Sequence, residues 1–199
     1  MSDIVVHLID DDEEIRRALA FLLGTAGFAA RVYESAELFL ETYAGSGAGV
    51  IVSDVRMPGM DGLQLLKSLR AKGVSLPVVI MTGHADVALA VEAMKSGATD
   101  FIEKPFSDDV LLAAIQTALA SRAAGGTGGD SGPARARLAT LTAREKEVLE
   151  GLLAGHPNKT IAYDLGLSPR TVEVHRANLM TKMGAGSLSE LVRMTLLAQ

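Results

Sequence analysis

The chain has 199 residues, 48% of them hydrophobic and 22% charged, which suits two globular domains with real cores. It has no cysteine, so disulfides and cysteine-ligated metal sites are excluded. Its start, MSDIVVHLIDDDEE, lacks a basic region and its apolar runs fall far short of about 18 residues, so neither signal peptide nor membrane span is expected, and the protein reads as cytoplasmic.

In chain order, Ile4–Ile9 is apolar and β-rich, and Ile15, Leu19, Leu22 and Leu23 then recur at helical spacing up to Gly24. Phe28–Tyr33 predicts a short strand, and Ser35 caps a helix through Leu38, Phe39 and Tyr43. Val50–Ser53 predicts a strand, Leu63–Leu69 a helix, Pro77–Met81 a strand and Ala85–Lys95 a helix. Ala98–Ile102 and Asp108–Ala120 close the series as strand and helix. Five strands interleaved with five helices imply βαβ units and a parallel sheet covered on both faces. The continuous apolar runs Val50–Val52 and Val78–Ile80 fit strands buried on both sides.

The glycine-rich seam SRAAGGTGGDSGPARAR, residues 121–137, predicts a flexible linker. It divides residues 1–122 from an all-helical module at 138–199, with 123–137 between them. The charge divides as well: residues 1–129 carry 10 Lys/Arg against 17 Asp/Glu, and 138–199 carry 7 against 6. An acidic front and a mildly basic back suggest different partners. In the module, helices are expected from Leu141-Thr142 to Gly155, from a capping Asn158 to Gly166, from Ser168-Pro169 through Met183, and over Ser187–Leu197.

Ligands of an open parallel sheet bind beyond the carboxyl ends of its strands. The residues just after the predicted strands are Asp10-Asp11-Asp12, Asp54, Thr82 and Glu103-Lys104-Pro105. Singly, each has a plainer reading: Asp54 and Thr82 as turn residues, Asp12 as a helix cap. Together they bring carboxylates, a hydroxyl and an ammonium to one crevice. Clustered carboxylates call for a counter-cation, and hard oxygens suit Mg²⁺, which takes one or two carboxylates together with phosphate oxygens. With Mg²⁺ and Lys104 neutralising an incoming phosphoryl group, Asp54 at the sheet's centre is placed to form an acyl phosphate.

These residues, in the wording HLIDDDEEIRRAL, SDVRMPGMDG and MTGHADVALAVEAMKSGATDFIEKPF, resemble the receiver domain of two-component response regulators, most closely the FixJ-type subgroup. The resemblance implies a flavodoxin-like (βα)5 doubly wound sheet of order 2-1-3-4-5. It implies that Asp54 takes a phosphoryl group from a sensor histidine kinase. Asp10 and Asp11 would hold Mg²⁺, directly or through water, with Asp54 and the backbone carbonyl of Arg56. Thr82 would bond the phosphoryl oxygen, with Phe101 as its aromatic switch partner, and Lys104 would pair with the phosphate. The Lys104–Pro105 bond would be cis. Phe101 stands where many receivers carry Tyr, so a hydroxyl-dependent switch is not available. Arg56 and His84, each two residues past a site residue, are expected to tune the lifetime of the phosphoryl group; solvated loop positions are the plainer alternative. A haloacid dehalogenase-type phosphatase also uses a strand-tip Asp, but needs a second acid where this chain has Arg56.

TIAYDLGLSPRTVEVHRANLMTKMG, residues 160–184, has the helix, glycine turn and second helix of a helix-turn-helix. Val172, Leu179 and Met183 should be core. Arg170, Thr171, Glu173, Val174 and Ala177 are placed toward base edges, and Lys159, Arg176 and Lys182 suit phosphates. A generic helical bundle is the bland alternative. Residues 139–199 also resemble the LuxR/NarL-type DNA-binding domain, which implies that the 168–183 helix enters the major groove and that the last helix mediates dimerisation. His175 is expected to pack or touch phosphate. A net +1 is low for a monomeric DNA binder, so dimerisation is the natural remedy. The reading is therefore a response regulator with a four-helix output module. It would dimerise when phosphorylated, through the receiver face of 85–95, 98–102 and 108–120, bind two-fold promoter DNA, and engage RNA polymerase. A phosphorylation-independent regulator and a phosphate-sink or adaptor receiver remain the alternatives.

Overall fold

The computed structural model describes residues 4–45, 47–83, 87–123 and 131–198. Five strands alternate with helices: β1 (Val5–Ile9), α1 (Glu13–Thr25), β2 (Ala29–Tyr33), α2 (Ala36–Thr42), β3 (Gly49–Asp54), α3 (Gly62–Ala71), β4 (Val78–Thr82), α4 (Val87–Lys95), β5 (Asp100–Glu103) and α5 (Asp108–Ala123). The strands form one parallel sheet of order β2-β1-β3-β4-β5. That is the expected doubly wound architecture. Every residue of β3 and β4 is buried, as helical cover on both faces demands.

The helices start where local chemistry starts them. Asp12 caps α1 by accepting from the N–H groups of Glu14 and Ile15, and Ser35 caps α2 through Leu38 N–H. Asp61 and Gln64 form a reciprocal capping box at α3. The core joins Val6, Leu8, Val50, Val52, Val79 and Met81 of the sheet to Leu19 and Leu23 of α1 and to Leu111 and Ile115 of α5. At the β2 edge, His7, Tyr33, Phe39 and Tyr43 pack ring against ring, and His7 Nδ1 lies 3.0 Å from Tyr33 Oη.

The C-terminal helices are α6 (Ser131–Ala139), α7 (Ala143–Leu153), α8 (Asn158–Leu165), α9 (Pro169–Met183) and α10 (Leu188–Ala198). Their core gathers Leu141, Val148, Leu149, Leu152, Ile161, Val172, Leu179, Met183 and Leu191. Among the described residues the chain divides into two compact units, Met1–His84 with Ser96–Gly126 and Ala85–Lys95 with Thr127–Gln199.

Two expectations fail locally. The seam does not stay coil to residue 137, because α6 begins at Ser131 and makes a fifth C-terminal helix. Pro133 sits in its first turn, where a missing N–H costs nothing, and Ala134, Ala136 and Leu138 favour the helix. Arg135 and Arg137 anchor it by donating to the carbonyls of Ala198 and Met183. The earlier part of the seam, 124–130, lies outside the described residues. Asn158 does not cap α8: it is already the first helical residue, Pro157 is the N-cap, and no side chain caps that end. The Asn158 amide oxygen is buried without a hydrogen-bond partner.

Candidate functional site

Strand register assembles the first site. Ile9 pairs with Ser53, which sets Asp10 level with Asp54. Asp54 pairs with Met81, so Thr82 stands one residue further on, and Thr82 pairs with Glu103, which delivers Lys104. Four adjoining parallel strands, β1, β3, β4 and β5, thus bring residues from four points of the chain to one end of the sheet, which is what a crossover topology does.

The groups meet tightly. Lys104 Nζ lies 2.7 Å from Asp10 Oδ2 and 2.6 Å from Asp54 Oδ1, bridging the two carboxylates. Asp10 is 1% exposed, Asp54 7% and Thr82 0%. Asp54 Oδ2 accepts from Arg56 N–H at 2.7 Å, and Asp10 Oδ1 from Asp12 N–H at 3.0 Å. Burial pushes the Asp54 carboxyl above its ordinary range, against the pull of Lys104. Burial works the other way on the Lys104 ammonium, but its bonds to Asp10 and Asp54 outweigh it and hold the group above its usual value. The crevice therefore sets an ammonium between two carboxyl groups, one of which burial makes reluctant to carry charge.

Asp11 and the Arg56 side chain are exposed, and Phe101 is half-buried. Among the described residues no three carboxylate or imidazole groups converge closely enough to form a metal cluster by themselves. In side chains Asp10 and Asp54 line the crevice, and with a carbonyl and waters they make a donor set of the kind Mg²⁺ takes. The Lys104–Pro105 bond is cis, as expected. His84 lies outside the described residues. One residue escaped the sequence reading: Arg16 donates to the Asp10 carbonyl at 2.7 Å and steadies the loop that carries it. A cation six residues past an acid gives no sequence signal of that kind.

The second site is on the helical module. Gly166, at φ +64°, turns α8 into α9, which opens on Ser168 as N-cap and Pro169 as first residue. Val172, Leu179 and Met183 are buried as expected. That leaves Arg170, Glu173, Val174 and Ala177 exposed, at spacings that share one helix face. The Arg170 side chain is 90% exposed and sits 4.0 Å from Glu173. Lys159 is exposed; Thr171, His175 and Arg176 are half-buried, and Thr171 Oγ1 lies 2.8 Å from Ser168 Oγ at the cap. Lys182 does not stand free for phosphate: its Nζ is 2.8 Å from Glu145, a 3% exposed acid that also closes the α7 capping box with Thr142. The sequence reading missed Glu145, since a Glu three residues after a Thr signals only the cap.

Comparison with known proteins follows the same division. The family model "Response regulator receiver domain" matches residues 6–116, and "Bacterial regulatory proteins, luxR family" matches 139–195. The chain is 56% identical to the transcriptional regulatory protein FixJ of Azorhizobium caulinodans, over 99% of this chain and 94% of that protein. It is 52% identical to FixJ of Rhizobium meliloti, over 98% and 97%. Among solved structures, full-length FixJ from B. japonicum aligns with a TM-score of 0.59 at 50% identity, over 100% of this chain and 98% of that one.

Proposed function

The chain belongs to the FixJ-like response regulators, which join a receiver to a LuxR-type DNA-binding domain, and from that premise we propose that Asp54 is the phosphoacceptor of a sensor histidine kinase. The observation that carries this reading is Lys104 Nζ lying between Asp10 and Asp54 at the carboxyl ends of adjoining strands.

An Asp54 carboxylate oxygen attacks the phosphorus of the donor phosphohistidine. The P–N bond breaks, its electron pair leaves with the imidazole, and an aspartyl phosphate forms. Charge then gathers on the phosphoryl oxygens. Lys104 is already 2.6 Å from Asp54 and trades a carboxylate for a phosphoryl oxygen with little movement. The Thr82 hydroxyl, one residue beyond the level of Asp54, donates to another phosphoryl oxygen, and Phe101 follows its movement. Asp10, Asp54 and the Arg56 carbonyl, with Asp11 through water, would hold the Mg²⁺ that receiver domains generally bind; when bound it neutralises phosphoryl charge. The receiver's only chemistry is its own phosphorylation and dephosphorylation. Arg56 at the second position after Asp54 offers no general acid for a dedicated phosphatase and, with His84, governs how long the phosphoryl group lasts.

Phosphorylation favours one of two receiver states, and the favoured state dimerises. The dimer presents two α9 helices to a two-fold promoter site, Arg170, Glu173, Val174 and Ala177 toward bases and Lys159 toward phosphate, and engages RNA polymerase. A gel shift on promoter DNA with wild-type and Asp54→Asn protein, with and without acetyl phosphate and Mg²⁺, tests the reading. Tighter binding by phosphorylated wild type alone is expected. Equal affinity in all four lanes would sink it.

A further inference from the structure

We infer that Glu37, on α2, is a positioning residue for the phosphoacceptor site: its carboxylate clamps the β3–α3 loop and thereby sets the Arg56 carbonyl for Mg²⁺. The inference rests on the function proposed above.

The loop runs from Asp54, at the tip of β3, to Asp61, the N-cap of α3. Its two ends are held locally. Arg56 N–H donates to Asp54 Oδ2, Gly62 N–H to the Val55 carbonyl at 2.9 Å, and the Asp61–Gln64 capping box fixes the exit. Gly62 is so close to β3 that a Cβ there would lie 2.3 Å from the Asp54 carbonyl oxygen. The middle of the loop is held from outside. Met60 N–H donates to Glu37 Oε1 at 2.6 Å, a contact between residues 23 apart.

The same carboxylate oxygen fills the space a side chain at position 59 would need. A Cβ built on Gly59 would lie 2.5 Å from Glu37 Oε1, and Gly59 has φ +76°. Glycine suits this position because its backbone is left-handed, and the acid fills the concave side of the turn that a glycine leaves open. The hydrogen bond is charge-assisted, since the Glu37 N–H, then the Met60 N–H, hold the carboxyl below its ordinary range. An acid in the first turn of α2 would suit the helix dipole wherever its side chain pointed. The dipole does not explain why this one reaches across to Met60.

The consequence lies four residues upstream. Mg²⁺ demands near-octahedral geometry with oxygens at about 2.0–2.1 Å, so a backbone carbonyl that serves it must be placed to a fraction of an ångström. Side chains that orient metal ligands, without touching the metal, typically affect affinity by about 10–100-fold. Glu37 would act through the Met57–Met60 turn, with Met57 packed at 8% exposure as the fixed point between clamp and carbonyl.

The test uses the full chain, with Mg²⁺ titrated by calorimetry and initial phosphorylation by acetyl phosphate followed against MgCl2. Glu37→Ala is expected to weaken Mg²⁺ about 10-fold, while the phosphorylation rate at saturating Mg²⁺ stays within about 2-fold of wild type. Glu37→Gln keeps an acceptor oxygen and should recover most of the affinity. Gly59→Ala, which expels the carboxylate from the other side and also strains a left-handed backbone, should weaken Mg²⁺ at least as much as Glu37→Ala, and Glu37→Gln stands in if Glu37→Ala does not fold. Unchanged Mg²⁺ affinity in Glu37→Ala, a loss confined to the maximal rate, or a Gln variant as weak as Ala would each overturn the inference and leave the phosphoacceptor reading intact. Wild-type protein that neither binds Mg²⁺ nor gains phosphate would overturn both.

Discussion

The crevice of the sheet and the exposed face of α9 handle charge in opposite ways. In the crevice, Asp10 and Asp54 are 1% and 7% exposed and a lysine is wedged between them. On α9 the Arg170 side chain is 90% exposed, and its nearest acid is 4.0 Å away. Buried charges interact strongly because little water screens them, so the crevice is organised for chemistry before any partner arrives. Exposed charges are worth little until a partner removes their water, so on the proposed function the exposed face of α9 acquires its energy only on DNA. On the proposed function, phosphoacceptor geometry is therefore written into the fold of one unit, and DNA-binding geometry into the surface of the other.

That contrast breaks most readily at Asp54. Asp54→Asn should abolish phosphoryl uptake from acetyl phosphate, read as loss of the shifted band on a phosphate-affinity gel, because an amide forms no acyl phosphate. Residual labelling would place the acceptor elsewhere. Lys104→Met should slow uptake by about 10²–10³-fold, the usual effect of removing one preorganised charge donor. A loss under tenfold would mean that the crevice's cation is dispensable.

On the other side of the comparison, Arg170→Ala should weaken promoter binding by about 1–3 kcal/mol if it reaches a base edge. Lys159→Ala should instead weaken all sequences alike and reduce the salt slope by about 0.9. Neither should move the melting temperature, since both side chains are exposed; a drop would show that the face is structural as well.

The smallest expected effect sharpens the contrast, because Glu145 and Lys182 form a crevice-like pair inside the helical module. Lys182→Met should lower the module's stability by about 1–2 kcal/mol, as loss of a charge-assisted bond to a buried acid does. Its bonds to Lys182 and to Thr142 N–H hold the Glu145 carboxyl below its ordinary value of 4.5. A depressed folded pKa contributes stability that is fully present above the unfolded value and is lost as pH falls through the folded one. Thermal melts of wild type should therefore fall off below about pH 4.5, and those of Glu145→Gln should fall off less.

Much of this was legible because the signals are short-range. Alternating strand and helix patterns, the caps at Asp12, Ser35, Thr142 and Ser168, and the glycine at 166 depend on neighbours within one turn. The strand-tip positions of Asp10, Asp54, Thr82 and Lys104 follow from those boundaries together with the topology. The two departures from that reading are also local. Pro133 reads as a breaker, yet in a first turn it is harmless; Asn158 reads as a cap, yet Pro157 before it takes that place.

What the sequence determined by itself was which residues end each strand, where each helix starts, and that two modules of opposite chemistry share the chain. Only the tertiary structure decided which side chains meet. Lys104 bonds Asp10 and Asp54 across 94 and 50 residues, Lys182 bonds Glu145 across 37, and Glu37 reaches Met60 across 23. No local pattern encodes such pairs, because they arise where packed sheets and helices bring polar groups of distant residues within about 3 Å, and folding selects them as a set rather than one at a time.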